Sequence, residues 1–109
     1  MNYVMVAATG DLKPGEMKKV MVENTPVLLA NIDGTYYAME DTCPHMGGSL
    51  SRGKLEGSNI SCPKHGSVFN VMTAKAVKNG KIAFITARVH DLKSYKVKIE
   101  GPDVFIGIE

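Results

Sequence analysis

Short runs of β-branched and apolar residues recur along this 109-residue chain roughly every eight to twelve residues, separated by clusters of Gly, Pro, Asn, Asp and Ser. That rhythm leaves no window for a long helix and predicts an all-β sandwich or barrel. Tyr3 to Ala7 opens the first strand, and Lys13-Pro14-Gly15 turns the chain into a second, Glu16 to Glu23, with Lys18 and Lys19 exposed. Pro26 then breaks the chain. Pro26 to Ile32 and Thr35 to Met39 flank Asp33-Gly34, a two-residue hairpin signal because both positions tolerate positive φ. Near the C-terminus Tyr95, Val97 and Ile99 alternate with Ser94, Lys96, Lys98 and Glu100, so one face is buried. Gly101-Pro102 leads into a last strand, Asp103 to Ile108. No internal repeat or linker interrupts this pattern, so residues 1–109 are expected to form one domain.

Composition narrows the function classes. Apolar residues at 44% suffice for one core, and thirteen basic against eleven acidic side chains leave a formal charge of +2. That is too weak a field to hold nucleic acid, and the sequence pI of about 8.5 lies below the value of about 9 typical of nucleic-acid-binding domains. No apolar run approaches the 18 residues of a membrane span. The N-terminus has no basic segment and reaches Thr9-Gly10-Asp11 before a signal-peptide core could form, so a cytoplasmic location is expected. Two cysteines in such a compartment are reduced ligands or buried thiols rather than a disulfide.

Both cysteines stand beside a histidine. Cys43-Pro44-His45 and Cys62-Pro63-Lys64-His65 are near-copies in a Gly-, Ser- and Pro-rich stretch, and sixteen residues lie between His45 and Cys62. A hairpin around Leu55 and Ile60 would bring the two loops tip to tip, presenting two thiolates and two imidazoles to a metal. Pro44 and Pro63 stiffen the loops, while Gly47, Gly48 and Gly66 permit close backbone approach or positive φ. Two other readings use the same residues. One is a structural zinc site, although zinc modules more often pair C-x-x-C with H-x3-5-H. The other is a cysteine nucleophile with a neighbouring histidine, which leaves the second copy unexplained.

Cys43-Pro44-His45-Met46-Gly47-Gly48-Ser49-Leu50 and Cys62-Pro63-Lys64-His65-Gly66-Ser67-Val68-Phe69-Asn70 resemble the two cluster loops of the Rieske iron-sulfur family, and the resemblance runs through the flanking strands over essentially the whole chain. It implies a base of two antiparallel sheets carrying a cluster-binding subdomain from about Asp41 to Asn70. It also implies one 2Fe-2S cluster, with Cys43 and Cys62 on one iron and His45 and His65 on the other. Two ferric ions, two sulfides and two thiolates sum to no charge, whereas four thiolates would start two charges lower. Such mixed ligation therefore places potentials at roughly −150 to +300 mV. Ligand histidines lose protons more readily when both irons are ferric, so the potential should fall as pH rises.

Departures from the family pattern refine the expectation. Gly48 and Lys64 stand where high-potential members carry two further cysteines, so the loop-clipping disulfide is absent. Ser67 matches a serine whose hydroxyl bonds to sulfur, and Phe69 replaces a tyrosine that does the same. One donor kept and one lost predicts a potential between the ends of the family range. In place of a Pro-rich cover, the chain reads Val77-Lys78-Asn79-Gly80-Lys81-Ile82 with an Asn-Gly hairpin signal. Thr73-Ala74-Lys75 resembles the family's Thr-Gly-Lys turn, with strain expected at the alanine.

Leu50 and Met46 are expected to keep water off the cluster, His90 to be a solvated residue, and the four tyrosines to be half-buried sheet positions. The chain resembles the ferredoxin component of aromatic-ring dioxygenase systems. This resemblance implies an electron carrier rather than an enzyme, one that docks a reductase and a terminal oxygenase at the His45/His65 tip as a monomer, with no nucleic-acid or membrane partner. The alternative is a small Rieske-like subunit of a larger oxidoreductase such as a nitrite reductase.

Overall fold

The computed structural model describes residues 2–42, 48–63, 66–78, 80–82, 85–87 and 91–108. Along the chain run β1 (Asn2–Ala8), β2 (Met17–Val22), β3 (Thr25–Ile32), β4 (Thr35–Glu40), a 3-10 turn (Leu50–Arg52), β5 (Lys54–Glu56) and β6 (Asn59–Ser61). They continue with β7 (Val68–Asn70), β8 (Ala76–Lys78), β9 (Gly80–Ile82), β10 (Ile85–Ala87), β11 (Ser94–Tyr95), β12 (Val97–Glu100) and β13 (Asp103–Ile108). The strands form sheets in the orders β1-β13-β12, β11-β4-β3-β2, β5-β6-β7-β8 and β10-β9, and every pairing is antiparallel. The expected all-β fold is present, with both base sheets drawing on N- and C-terminal strands.

β3 holds the architecture together. Val27, Leu28, Leu29 and Ala30 are all fully buried. With a side-chain period of two, Val27 and Leu29 face one core and Leu28 and Ala30 the other. Val27, Leu29 and Ala38 pack with Val20, Val22, Val104 and Ile106, which is the base. Leu28, Ala30 and Met39 pack with Leu50, Ile60, Cys62 and Phe69 on the opposite side. The central sheet is thus covered on both faces, and its second core reaches the residues that flank the Cys/His loops.

Asp33 and Gly34, at φ 52° and 93°, make the expected hairpin turn, with Ile32 opposite Thr35. Asn31 locks it. Its Nδ2 donates to the Leu12 carbonyl at 3.0 Å, and its Oδ1 accepts the Gly34 N–H at 2.8 Å. Gly15 N–H donates to the Asn31 carbonyl at 2.8 Å, so the Lys13-Pro14-Gly15 turn is tied to the same residue. Tyr36, on β4, extends the tie by donating its hydroxyl to the Thr9 carbonyl.

Some expectations change. The break expected at Pro26 lies at Glu23-Asn24, where Val22 pairs with Thr25 and Glu23 holds φ 57°; Pro26 is inside β3, opposite Met21. The single strand expected over 94–100 divides at Lys96. Tyr95 pairs with Ala38 in the central sheet and Val97 with Ile106 in the outer one, so the chain turns a corner between sheets, and Ile99, past the core on edge strand β12, is 46% exposed. The expected Asn79-Gly80 turn includes Asn79, which lies outside the described residues; among those described, β8 pairs with β7 and β9 with β10. β9 and β10 run antiparallel, with Ile82 opposite Ile85.

Candidate metal centre

The β5–β6 hairpin turns at Gly57 (φ 60°) and sets Lys54 opposite Ser61, the residue before Cys62. A glycine is required nearby. A Cβ on Gly53 would sit 1.8 Å from the Ser61 carbonyl oxygen, so only a residue without one lets the exit of the first loop approach the entrance of the second. Leu50, fully buried, and Cys62, 3% exposed, also share one core cluster. The described flanks of the two loops therefore converge, as the duplicated motif requires.

Cys62 heads a tight loop. Its N–H donates to the Ser67 carbonyl at 2.7 Å, and its own carbonyl accepts the Gly66 N–H at 3.3 Å. Gly66 holds φ 77°, the left-handed conformation expected of a glycine there. The Cys62 thiol is free, and Ser67 is buried at 3% exposure. Phe69, which replaces the family tyrosine, is fully buried in the same cluster as Leu50 and contributes packing. Cys43, His45 and His65 lie outside the described residues, as do Gly47, Met46 and His90. Among the described residues no group of three or more His, Cys, Asp or Glu side chains could hold a metal.

The first loop is closed at its neck by a device that sequence reading passed over. Thr42 and Ser49 form an antiparallel bridge, and Leu50 N–H donates to the Asp41 carbonyl at 2.6 Å. The Asp41 carboxylate, 1% exposed, accepts the Ser51 N–H at 2.8 Å and the Ser49 hydroxyl, and the Ser49 and Ser51 hydroxyls are 2.8 Å apart. A buried carboxylate is tolerated only when its oxygens are so occupied. The available signal was an acid two residues before the first cysteine and a Ser-x-Ser on the far side of the loop.

On the other flank, Asn70 caps a turn by accepting the Met72 N–H at 2.9 Å on its Oδ1. Ala74, in that turn, holds φ 62° with its methyl fully buried, which is the strain expected of an alanine in a glycine's place. Asp91 reaches back from the later segment to accept the Ala76 N–H at 2.8 Å.

An all-β scaffold that brings together the flanks of a Cys-x-His and a Cys-x-x-His loop is the setting of an iron-sulfur domain, and the free, buried Cys62 thiol at the head of its tight loop fits a metal ligand. The sequence model of the Rieske [2Fe-2S] domain family matches residues 2–96. The chain belongs to that family. The ferredoxin component of biphenyl 2,3-dioxygenase from Rhodococcus jostii strain RHA1 is 35% identical over 109 residues, covering 100% of this chain and 95% of its own. The ferredoxin component of the naphthalene 1,2-dioxygenase/salicylate 5-hydroxylase systems from a Ralstonia species is 33% identical, covering 99% of this chain and 97% of its own. Among solved structures, a complex of reduced oxygenase and oxidized ferredoxin in carbazole 1,9a-dioxygenase contains a chain that superposes with TM-score 0.81 at 31% identity, covering 95% of this chain and 91% of that one. No helix among the described residues is long and apolar enough to cross a membrane.

Proposed function

We propose that this chain is a one-electron carrier of the Rieske ferredoxin type, relaying electrons from a reductase to an oxygenase or similar terminal acceptor. The observation that carries the reading is the full-length similarity to ferredoxin components of dioxygenase systems, together with retention of all four Cys and His positions. Residues 1–109 act as one cytoplasmic, monomeric domain, with the cluster-binding part from about Asp41 to Asn70. Cys43, Cys62, His45 and His65 would hold one 2Fe-2S cluster, which when bound supplies a site that gains and loses a single electron near neutral charge. The protein's own part is to position and to shield. Leu50 and Phe69 keep the base of the loops dry, and the tight Cys62–Ser67 loop fixes the second pair of ligands. Partners would meet the His45/His65 tip.

Ligand substitution tests the reading. Cys43→Ala and His65→Ala should each abolish cluster incorporation, read as loss of visible absorption and iron content, while the fold persists by circular dichroism. Retention of a two-iron centre in either variant would remove the assignment. Ser67→Ala should keep the cluster and lower its midpoint potential, because a donor to sulfur favours the more negative reduced state. An unchanged potential would mean that the Ser67 hydroxyl points elsewhere.

A further inference from the structure

Charge is unevenly spread along this nearly neutral chain. Residues 41–78 hold five cationic side chains, Arg52, Lys54, Lys64, Lys75 and Lys78, against two acids, Asp41 and Glu56. Strand register sets the backbone of two of them beside the second ligand loop. Lys54 stands opposite Ser61, the neighbour of Cys62, and Lys78 opposite Val68, the neighbour of Ser67. Arg52 ends the 3-10 turn that leaves the first loop and is exposed, with no carboxylate within 4.0 Å among the described residues. In sequence, Lys64 falls between Cys62 and His65.

The two acids do not cancel this charge. Asp41 is 1% exposed and turned inward onto Ser49 and Ser51. Glu56 pairs in register with Asn59, at the hairpin end remote from Cys62. It does contact Lys54 at 3.7 Å, but with 78% and 68% of the two side chains exposed such a pair contributes little and leaves the ammonium available. Outside residues 41–78, by contrast, eight cationic side chains stand against nine acids.

We propose that the ligand-loop end is a cationic docking face to which Arg52 and Lys54 contribute, and that the redox partners this protein accepts present an acidic surface there. The inference rests on the electron-carrier reading and adds the chemistry of its partner. A face of one sign steers oppositely charged partners and repels like-charged ones, with an effect that weakens as salt shortens the Debye length from about 30 Å at 0.01 M to about 3 Å at 1 M.

The test uses two one-electron oxidants of opposite charge against the dithionite-reduced, desalted protein, followed by stopped flow. Each turnover moves one electron, converting ferricyanide to ferrocyanide or tris(phenanthroline)cobalt(III) to its cobalt(II) form. Raising ionic strength from about 0.01 to about 0.5 M should slow the ferricyanide reaction by about threefold or more and speed the cobalt reaction. Arg52→Glu with Lys54→Gln should flatten both responses, whereas Lys96→Glu, an exposed residue of the base, should leave them as in the parent. Equal effects of the Lys96 and Arg52/Lys54 changes, or no salt dependence in the parent, would overturn the inference alone. A protein with no reducible iron would overturn it together with the reading on which it rests.

Discussion

Glu23 and Ala74 both hold positive φ without being glycine, and their surroundings decide how much of that backbone strain a glycine would recover. Left-handed conformation costs an ordinary residue about 1–2 kcal/mol. Ala74 is fully buried, so a glycine there would relieve strain but forfeit a buried methyl worth about 0.8 kcal/mol. Glu23 is exposed at the first position of a two-residue turn, where nothing is lost with its side chain. Glu23→Gly is therefore expected to raise stability by about 1 kcal/mol, measured by denaturant unfolding. A destabilised variant would mean that the carboxylate makes a contact worth more than the strain. The strain at Ala74 was legible because the neighbouring Thr and Lys mark a turn that ordinarily holds glycine. That at Glu23 was not, because Pro26 is the stronger local breaker and drew the boundary two residues late. Gly53 was likewise silent: its need comes from the Ser61 carbonyl, a contact that exists only after the hairpin has folded.

Among the elements, the hairpins were readable and the sheet assignments were not. Asp33-Gly34 specifies its turn by local backbone preference alone. Whether residues 94–100 form one strand or two depends on which partners lie alongside, β4 or β13, and no local signal encodes that choice. β8 and β9, next to each other in sequence, likewise pair with different partners, β7 and β10. The neck of the first loop is held by a buried carboxylate, Asp41. Asp41→Ala leaves the part-buried Ser51 N–H and the Ser49 hydroxyl without the carboxylate that accepts them, and the loss should be about 1–2 kcal/mol in unfolding, with faster iron release from the loaded protein. Asp41→Asn keeps an acceptor for Ser51 and should recover most of this. Equal losses in the two variants would show that the carboxylate's charge, rather than its hydrogen bonds, holds the loop.

At the scale of the whole molecule, one strand buried on both faces joins a two-sheet base to a small third sheet that presents the ligand loops. The proposed ligand positions, Cys43, His45, Cys62 and His65, stand out in the sequence as a motif because cluster chemistry calls for those residue types at that spacing. The support beneath them, Asp41, Ser49, Ser51 and Gly53, could not, because those roles exist only in the folded contacts. The most direct test of the central claim is an EPR spectrum of the purified protein before and after dithionite, with iron and zinc content measured on the same sample. Two irons per chain and a rhombic signal that appears only on reduction, with the low average g-value of mixed Cys/His ligation, is the predicted result. A colourless, EPR-silent protein holding one zinc would contradict it.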